Sequence, residues 1–194
     1  VTLPQRTDPP IEPQPVFYYD LGSPLCYLVA ERIMTALPAA PEWEPVLGSL
    51  FDTDTTESDR RLIERLAAEF SLQPVRWPQR WPPDTHFAAL AATYAKRVGR
   101  AVAFSLAAFR QAFAGGRDLG DRDTILIAAA ACEVHPNALI RGVALKSVSE
   151  ALDAASARAS ALGVSELPAI EAGGRVFQGR HALEQAVEAF RDAA

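Results

Sequence analysis

The sequence predicts an α/β protein in which a βαβ segment and a ββα segment enclose a long helical block. Three observations carry this reading. Val16 to Leu21 is a short apolar run of β type bounded by Pro15 and Gly22. It leads straight into Pro24 to Ala36, which has helical spacing with Leu25, Leu28, Val29 and Ile33 on one side. The middle of the chain turns strongly helical after about residue 84. Near the end, Gly173-Gly174 is a favoured hairpin turn between two short β-type runs, and a last helix follows.

The elements follow in order. Residues 1–15 carry Pro4, Pro9, Pro10, Pro13 and Pro15 and read as an extended, flexible arm. Pro38 and Pro41 stop the first helix. Trp43 to Leu50 reads as a second strand, parallel to the first through a right-handed crossover. Thr55-Thr56-Glu57-Ser58 opens a helix through Phe70 with Leu62, Ile63, Leu66 and Ala67 as its stripe. Gln73 to Pro83, with its Arg76-Trp77 and Arg80-Trp81 pairs, is neither helix nor regular strand. Asp84 or Thr85 caps a helix to about Arg97, and a second runs from near Val102 to Phe113 and ends at Gly115-Gly116. A third runs from Asp121 or Asp123 to Val134, and more helix follows from Pro136 to Leu162 with a break near Ser147 to Ser149. Gly163 to Ala172 reads as a strand entered through Pro168, Arg175 to Gln178 as its return, and Ala182 to Phe190 as the closing helix. The expected organisation is the arm (1–15), an α/β domain made of 16–55 and 163–194, and a helical insertion over 56–162.

Composition bounds the function. Apolar residues make up 49% and charged residues 22% of the 194 residues, which is ordinary for a globular protein with a sizeable core. A net charge of −5 argues against a generic binder of nucleic acid or anionic membrane. No apolar run is long enough to span a bilayer. The chain lacks a basic-then-apolar leader, and Cys26 and Cys132 form no secreted-type disulfide framework, so a cytoplasmic location is expected. No metal is expected: His86, His135 and His181 lack ligand spacing, and Asp52, Asp54 and Glu57 lack the glycine of a calcium loop.

Ser23 stands where a strand turns into a helix. Unpaired N–H groups and the helix dipole there favour an anion such as a thiolate. Pro24 suits the first helical turn, and Cys26, three residues after Ser23, shares its face. This is the layout of a redox Cys-x-x-Cys site with serine in place of the first cysteine. Two readings are open for each residue. Ser23 is a donor to a bound thiolate or a plain N-cap, worth about 1 kcal/mol. Cys26 is a thiol activated by its helical turn or a buried apolar side chain. In either case no disulfide can form within the motif, so a dithiol cycle is unavailable there. Cys132 lies in an apolar run and is expected in the core. The indoles of Trp77 and Trp81 and the Arg80 guanidinium either wall a pocket for an aromatic carboxylate or pack against the helical block.

The element order, the Ser23-Pro24-Leu25-Cys26 turn after the first strand and Leu167-Pro168 before the third together resemble the thioredoxin fold, and the helical insertion resembles the DsbA-type family. The Asp20 to Leu28 segment is most similar to the branch of 2-hydroxychromene-2-carboxylate isomerases and kappa-class glutathione transferases, which has Ser-Pro-aromatic-Ser-Tyr-Leu at this turn. The resemblance covers about residues 16 to 190 in layout. It implies that Ser23 holds the sulfur of a thiol cofactor. Cys26 matches the second cysteine of the oxidoreductases, and Pro168 matches a cis-proline facing the site, with Leu167 offering backbone groups. Trp81-Pro82-Pro83-Asp84-Thr85 replaces Phe-Pro-x-Asn-Thr, so Asp84 stands for an asparagine. Around Phe177 to Leu183, His181 and Ala182 replace an Asp-Arg pair whose acid grips the amino group of glutathione in the kappa type. The implied activity is a thiol-dependent isomerase or transferase. Glutathione or another small thiol would sit at Ser23, Leu167, Pro168 and His181, and a small aromatic substrate against Trp77, Arg80, Trp81 and Asp84. The alternatives are a single-cysteine oxidoreductase using Cys26 and a non-catalytic module binding a peptide or subunit beside Pro168. DsbA-type relatives often dimerise, which leaves a homodimer open.

Overall fold

The computed structural model describes residues 14–51 and 57–192. Most of the expected N-terminal arm, the helix opening at Thr55-Thr56 and the loop acids Asp52 and Asp54 lie outside these residues.

Strands β1 (Val16–Tyr19), β2 (Glu42–Pro45), β3 (Ala169–Ala172) and β4 (Arg175–Gln178) form one sheet in the order β2-β1-β3-β4. β1 pairs in parallel with β2, Val16 opposite Glu42 and Tyr19 opposite Pro45. It pairs antiparallel with β3, Phe17 opposite Ile170 and Tyr18 opposite Ala169. β3 and β4 form the expected hairpin around Gly173-Gly174. Helix α1 (Pro24–Ala36) makes the crossover between β1 and β2 and has the bounds its flanking prolines predict. Between β2 and β3 come α2 (Glu57–Glu69), α3 (His86–Arg97), α4 (Ala101–Phe109), α5 (Arg122–Ala131), α6 (Pro136–Val143) and α7 (Lys146–Ala161); α8 (Ala182–Asp192) closes the chain and packs on β3 and β4.

Four elements differ from expectation. β1 stops at Tyr19 because the Asp20 carboxylate accepts from the Gly22 amide and bends the chain into a turn. β2 covers only Glu42–Pro45; the Val46 amide still donates to the Tyr19 carbonyl at 3.0 Å, and the chain then leaves the sheet in a 3₁₀ turn, Gly48–Leu50. The expected helix to Phe113 is α4 followed by one turn of π-helix, Arg110–Ala114. The strand expected from Gly163 is reduced to β3, Ala169–Ala172, while the break expected near Ser147 to Ser149 falls just before that stretch, at Leu145, whose extended backbone (φ −73°, ψ 126°) starts α7.

The helical block is fastened to the sheet in two ways. Phe17, Tyr19 and Trp43 form an aromatic cluster on one face, and the buried Tyr19 hydroxyl bonds the Ser105 Oγ of α4 at 2.6 Å. On β2, the nearly buried Glu44 accepts from Lys96 of α3 (2.8 Å) and Arg158 of α7 (2.9 Å), and Lys96 also reaches Glu42. Hydrogen bonds from both carboxylates hold Lys96 above its ordinary pKa against the opposing effect of burial.

Ser105→Ala leaves the Tyr19 hydroxyl buried without its partner, so urea unfolding should show a loss of about 1–3 kcal/mol. The double variant Tyr19→Phe/Ser105→Ala should recover part of that loss.

Candidate functional site

Because β1 and β3 run in opposite directions, the end of β1 and the start of β3 meet at one end of the sheet. The turn Asp20–Ser23 leaves β1 there, and Leu167-Pro168 enters β3 there. The Leu167–Pro168 bond is cis, as is Trp81–Pro82. The Trp81–Thr85 segment lies over the turn: a Cβ on Gly22 would stand 2.6 Å from Thr85 Cγ2 and 3.4 Å from Pro83 Cγ, so only glycine permits this approach.

Ser23 is the N-cap of α1. Its Oγ accepts from the Cys26 amide at 3.2 Å, and its own amide donates to the Asp20 carbonyl at 3.1 Å. The same hydroxyl also hydrogen-bonds the Cys26 side chain. At 3% exposure it sits beneath the surface. The cap reading of Ser23 therefore holds in this structure and is compatible with a donor role. Cys26 is fully buried, and burial pushes its thiol up to about 12, with the Ser23 hydroxyl and the Asp20 backbone offsetting a smaller part. A thiol so desolvated is neutral at physiological pH. Cys132 is buried too, and its Sγ donates to the Ala129 carbonyl.

The four residues expected to wall a substrate pocket separate. Trp77 and Trp81 meet edge to face (5.2 Å) and both lie about 6 Å from Phe113, which stacks on Tyr27 of α1 at 5.3 Å. Arg60 of α2 lies over both indoles, and Trp77 Nε1 donates to Glu64 at 2.7 Å. The tryptophans thus pack between α2 and the helical block, with half-buried rings. Arg80 is turned to solvent, 3.9 Å from Asp118, beside a polar cavity of about 370 Å³ that it shares with Gln79 and Asp121. Asp84 is exposed and accepts from the His86 amide at 3.1 Å, capping α3. Of the two readings of this tract, the packing one describes the indoles, and the guanidinium that lies over them is that of Arg60, not Arg80.

His181 is exposed, and its Nε2 accepts from Arg180 Nε at 3.1 Å. With Leu25, Leu28, Leu66 and Phe70 it lines a cavity of about 280 Å³ between α1, α2 and α8. Arg32 bridges the cavity's rim, paired with Glu184 at 2.9 Å and stacked 3.6 Å over Phe70. His181 therefore faces a cavity along the side of α1 whose lining does not include Ser23.

Asp20 was not singled out from the sequence. It is 5% exposed, and its Oδ2 accepts from the Gly22 amide at 3.1 Å. Its Oδ1 is buried with no hydrogen-bond partner among the described residues. Burial pushes its pKa up to about 6, offset in part by the Thr85 hydroxyl and the Gly22 and Leu21 amides. The available signal was an acid at the end of an otherwise apolar run, Val16 to Leu21. Among the described residues no cluster of His, Cys, Asp or Glu could hold a metal ion, and no helix is long and apolar enough to cross a membrane.

A four-stranded sheet with a helix N-terminus and a cis-proline at one end, and a helical block inserted after the βαβ unit, defines a thioredoxin-fold protein of DsbA type. The chain matches the model of the DSBA-like thioredoxin domain over residues 16–191 and belongs to that family. Among solved structures it is similar to a 2-hydroxychromene-2-carboxylate isomerase (14% identity, TM-score 0.79, covering 92% of this chain and 95% of that one). A probable DsbA oxidoreductase from Streptomyces coelicolor is also similar (17%, TM-score 0.74, 93% and 89%). So is the cytosolic disulfide reductase DsbM from Pseudomonas aeruginosa, solved with GSH (15%, TM-score 0.60, 93% and 98%). At these identities the likeness is one of fold. No curated protein matches the chain.

Two outcomes follow. In the native state at neutral pH, Cys26 should resist alkylation by iodoacetamide and should be modified on unfolding, as read by intact mass. Asp20 titrates higher in the folded chain (about 6) than its ordinary value of 3.8, so the folded state binds more protons between these values. Its contribution therefore makes stability fall as pH rises through that window, and Asp20→Asn should flatten this part of a stability-versus-pH curve.

Proposed function

We propose that this protein is a thiol-dependent isomerase or transferase in which Ser23 orients the sulfur of a small thiol against an electrophilic, aromatic substrate. The observation that carries the reading is the state of the Ser-Pro-x-Cys turn. The residue at the helix N-terminus is a serine hydroxyl rather than a thiol, and the one sulfur in the turn is buried and held neutral. A site built this way binds sulfur from outside rather than supplying its own. The similarity in fold to a 2-hydroxychromene-2-carboxylate isomerase agrees with it.

The thiol supplies the nucleophile that adds to an electrophilic carbon and leaves again in an isomerisation or stays in a conjugate. Ser23 donates its hydroxyl hydrogen to the sulfur. The N-terminal turn of α1 adds a favourable field, worth roughly 0.3–2 kcal/mol. The backbone at Leu167 holds the thiol compound extended, as an added strand is held. The rings of Trp77, Trp81 and Phe113 and the Arg60 guanidinium above them offer a wall for an aromatic anion. The thiol end of glutathione fits Ser23, whereas position 181 offers its amino group an imidazole in place of a carboxylate. The compound is thus a small thiol, with glutathione as the first to try, and the site is placed in the cytoplasm, where such thiols are abundant.

A single-cysteine oxidoreductase is the second reading, favoured only by the fold similarity to DsbA-type enzymes; the burial of Cys26 opposes it. Ser23→Ala should cut glutathione-dependent turnover of electrophilic aryl substrates at least about tenfold, the equivalent of one pKa unit in the bound sulfur. The same change should lower folding stability by about 1 kcal/mol through the lost cap. Unchanged turnover rejects the mechanism, and a thermal-shift response to peptides rather than thiols would mark a binding module.

A further inference from the structure

We infer that the cavity between α1, α2 and α8 is a binding site for a small monocarboxylate with an apolar body, and that Arg180 receives the carboxylate. The inference stands apart from the thiol reading. Ser23, Leu167 and Pro168 are not in the lining, which shares only His181 with the expected thiol site.

The space sets the size and character of the ligand. The cavity measures about 280 Å³. That lies near the lower end of small-molecule sites, roughly 300 Å³, and suits a small ligand rather than a length of peptide. Its walls are Leu25 and Leu28 of α1, Leu62 and Leu66 of α2, and Phe70 just beyond α2. Leu28 is buried, and the other four are half-buried. The walls thus keep apolar surface in water, and an apolar ligand body would cover it.

The rim decides the ligand's polar end. Four charged side chains stand there: Arg32, Glu69, Arg180 and Glu184. Arg32 is fully engaged. Its Nε donates to the Leu28 carbonyl at 3.0 Å, its Nη1 pairs with Glu184 at 2.9 Å, and its plane lies over Phe70. That pair cancels two of the four charges. Arg180 has no acid partner among the described residues. Its Nε donates to His181 Nε2 at 3.1 Å, which orients the guanidinium and leaves its terminal N–H groups free. An imidazole that accepts at Nε2 carries its hydrogen on Nδ1 and can donate from there. An oriented guanidinium edge with a donor imidazole beside it matches a carboxylate.

Glu69, the last residue of α2, is exposed, and no hydrogen bond or ion pair among the described residues holds it over the cavity. The oriented cation therefore outweighs the unoriented anion in choosing the ligand's charge, because a group already in place loses less freedom on binding. Glu69 instead opposes a second carboxylate, which makes the ligand a monoacid rather than a diacid.

The test is calorimetry of sodium octanoate binding to the full chain at pH 7, with octan-1-ol, octylamine and octanedioate as comparisons. Octanoate should bind at one site, at least about tenfold more tightly than any of the three. Shortening it to hexanoate should weaken binding about fourfold per methylene removed. Arg180→Gln, at an exposed position, should weaken octanoate binding about tenfold and leave octan-1-ol unchanged, whereas a merely structural role would move both. Leu66→Phe, which fills the cavity, should weaken both. Ser23→Ala should leave octanoate binding as it is. Absence of octanoate binding, any comparison compound binding as tightly, or unchanged affinity in Arg180→Gln overturns the inference. So does loss of octanoate binding in Ser23→Ala, which would place the acid at the thiol site instead. None of these results bears on the thiol reading, which the turnover of Ser23→Ala tests by itself.

Discussion

β1 is hydrogen-bonded along both edges, to β2 in parallel and to β3 in antiparallel register, and this double pairing determines the geometry of the site. A strand so held can neither slide nor tilt without breaking two ladders at once. Its C-terminal end therefore delivers the Asp20–Ser23 turn to a fixed place. The antiparallel partner delivers Leu167-Pro168 to the same place from the other direction. The buried residues of β1, Phe17 and Tyr19 with Trp43 beside them, anchor the strand to the core beneath. Precision at Ser23 is thus inherited from sheet pairing and aromatic packing several residues upstream.

The helical insertion is tied to this frame by contacts of different character at different places. On the β2 side the ties are charged, with Glu44 gathering Lys96 and Arg158 in a half-desolvated cluster. Near the site they are aromatic, running from Tyr27 through Phe113 to Trp77 and Trp81. Aromatic faces give area and orientation without a strict donor-acceptor match. Charged clusters fix distance and lose heavily when one member is removed. The block is consequently clamped at the sheet edge and padded at the end where chemistry is proposed. Arg110 of the π turn and Glu31 of α1 add a two-pronged pair (both 2.7 Å) outside the aromatic column.

Much of this was legible in the sequence because prolines and glycines punctuate it. Pro24 and the Pro38–Pro41 stretch bracket α1, and Gly173-Gly174 brackets β4. The break before α7 was expected at the Ser147–Ser149 stretch and falls just ahead of it, at Leu145, where no proline or glycine marks the exact residue. β2 was read too far because Val46 is buried like a strand residue and still donates to the Tyr19 carbonyl, and only the 3₁₀ turn at Gly48–Leu50 takes the chain off the sheet. Ser23 and Pro168 were found through spacing and family pattern. Asp20 was passed over because its importance lies in what surrounds it, a bare Gly48 and an overlying Thr85 from two distant parts of the chain. The placements of Arg80 and Arg60 illustrate the same limit: adjacency in sequence suggested that Arg80 and the indoles wall one pocket, whereas Arg80 turns to Asp118 and Arg60 of α2 covers the indoles.

The single π turn at Arg110–Ala114 has a consequence for how this chain tolerates change in length. A turn of this kind holds one residue more than an α-helix does, and each residue advances a helix by about 100° around its axis. Phe113 reaches the two indoles, and its carbonyl reaches the Arg76 amide at 2.7 Å, from within that surplus. Deleting one residue there would restore ordinary helical winding and swing the ring away from its neighbours. The segment would lose its hold on the aromatic column while its hydropathy pattern stayed almost the same. Gaps and insertions in this helix are therefore the places where members of such a lineage could exchange one aromatic wall for another.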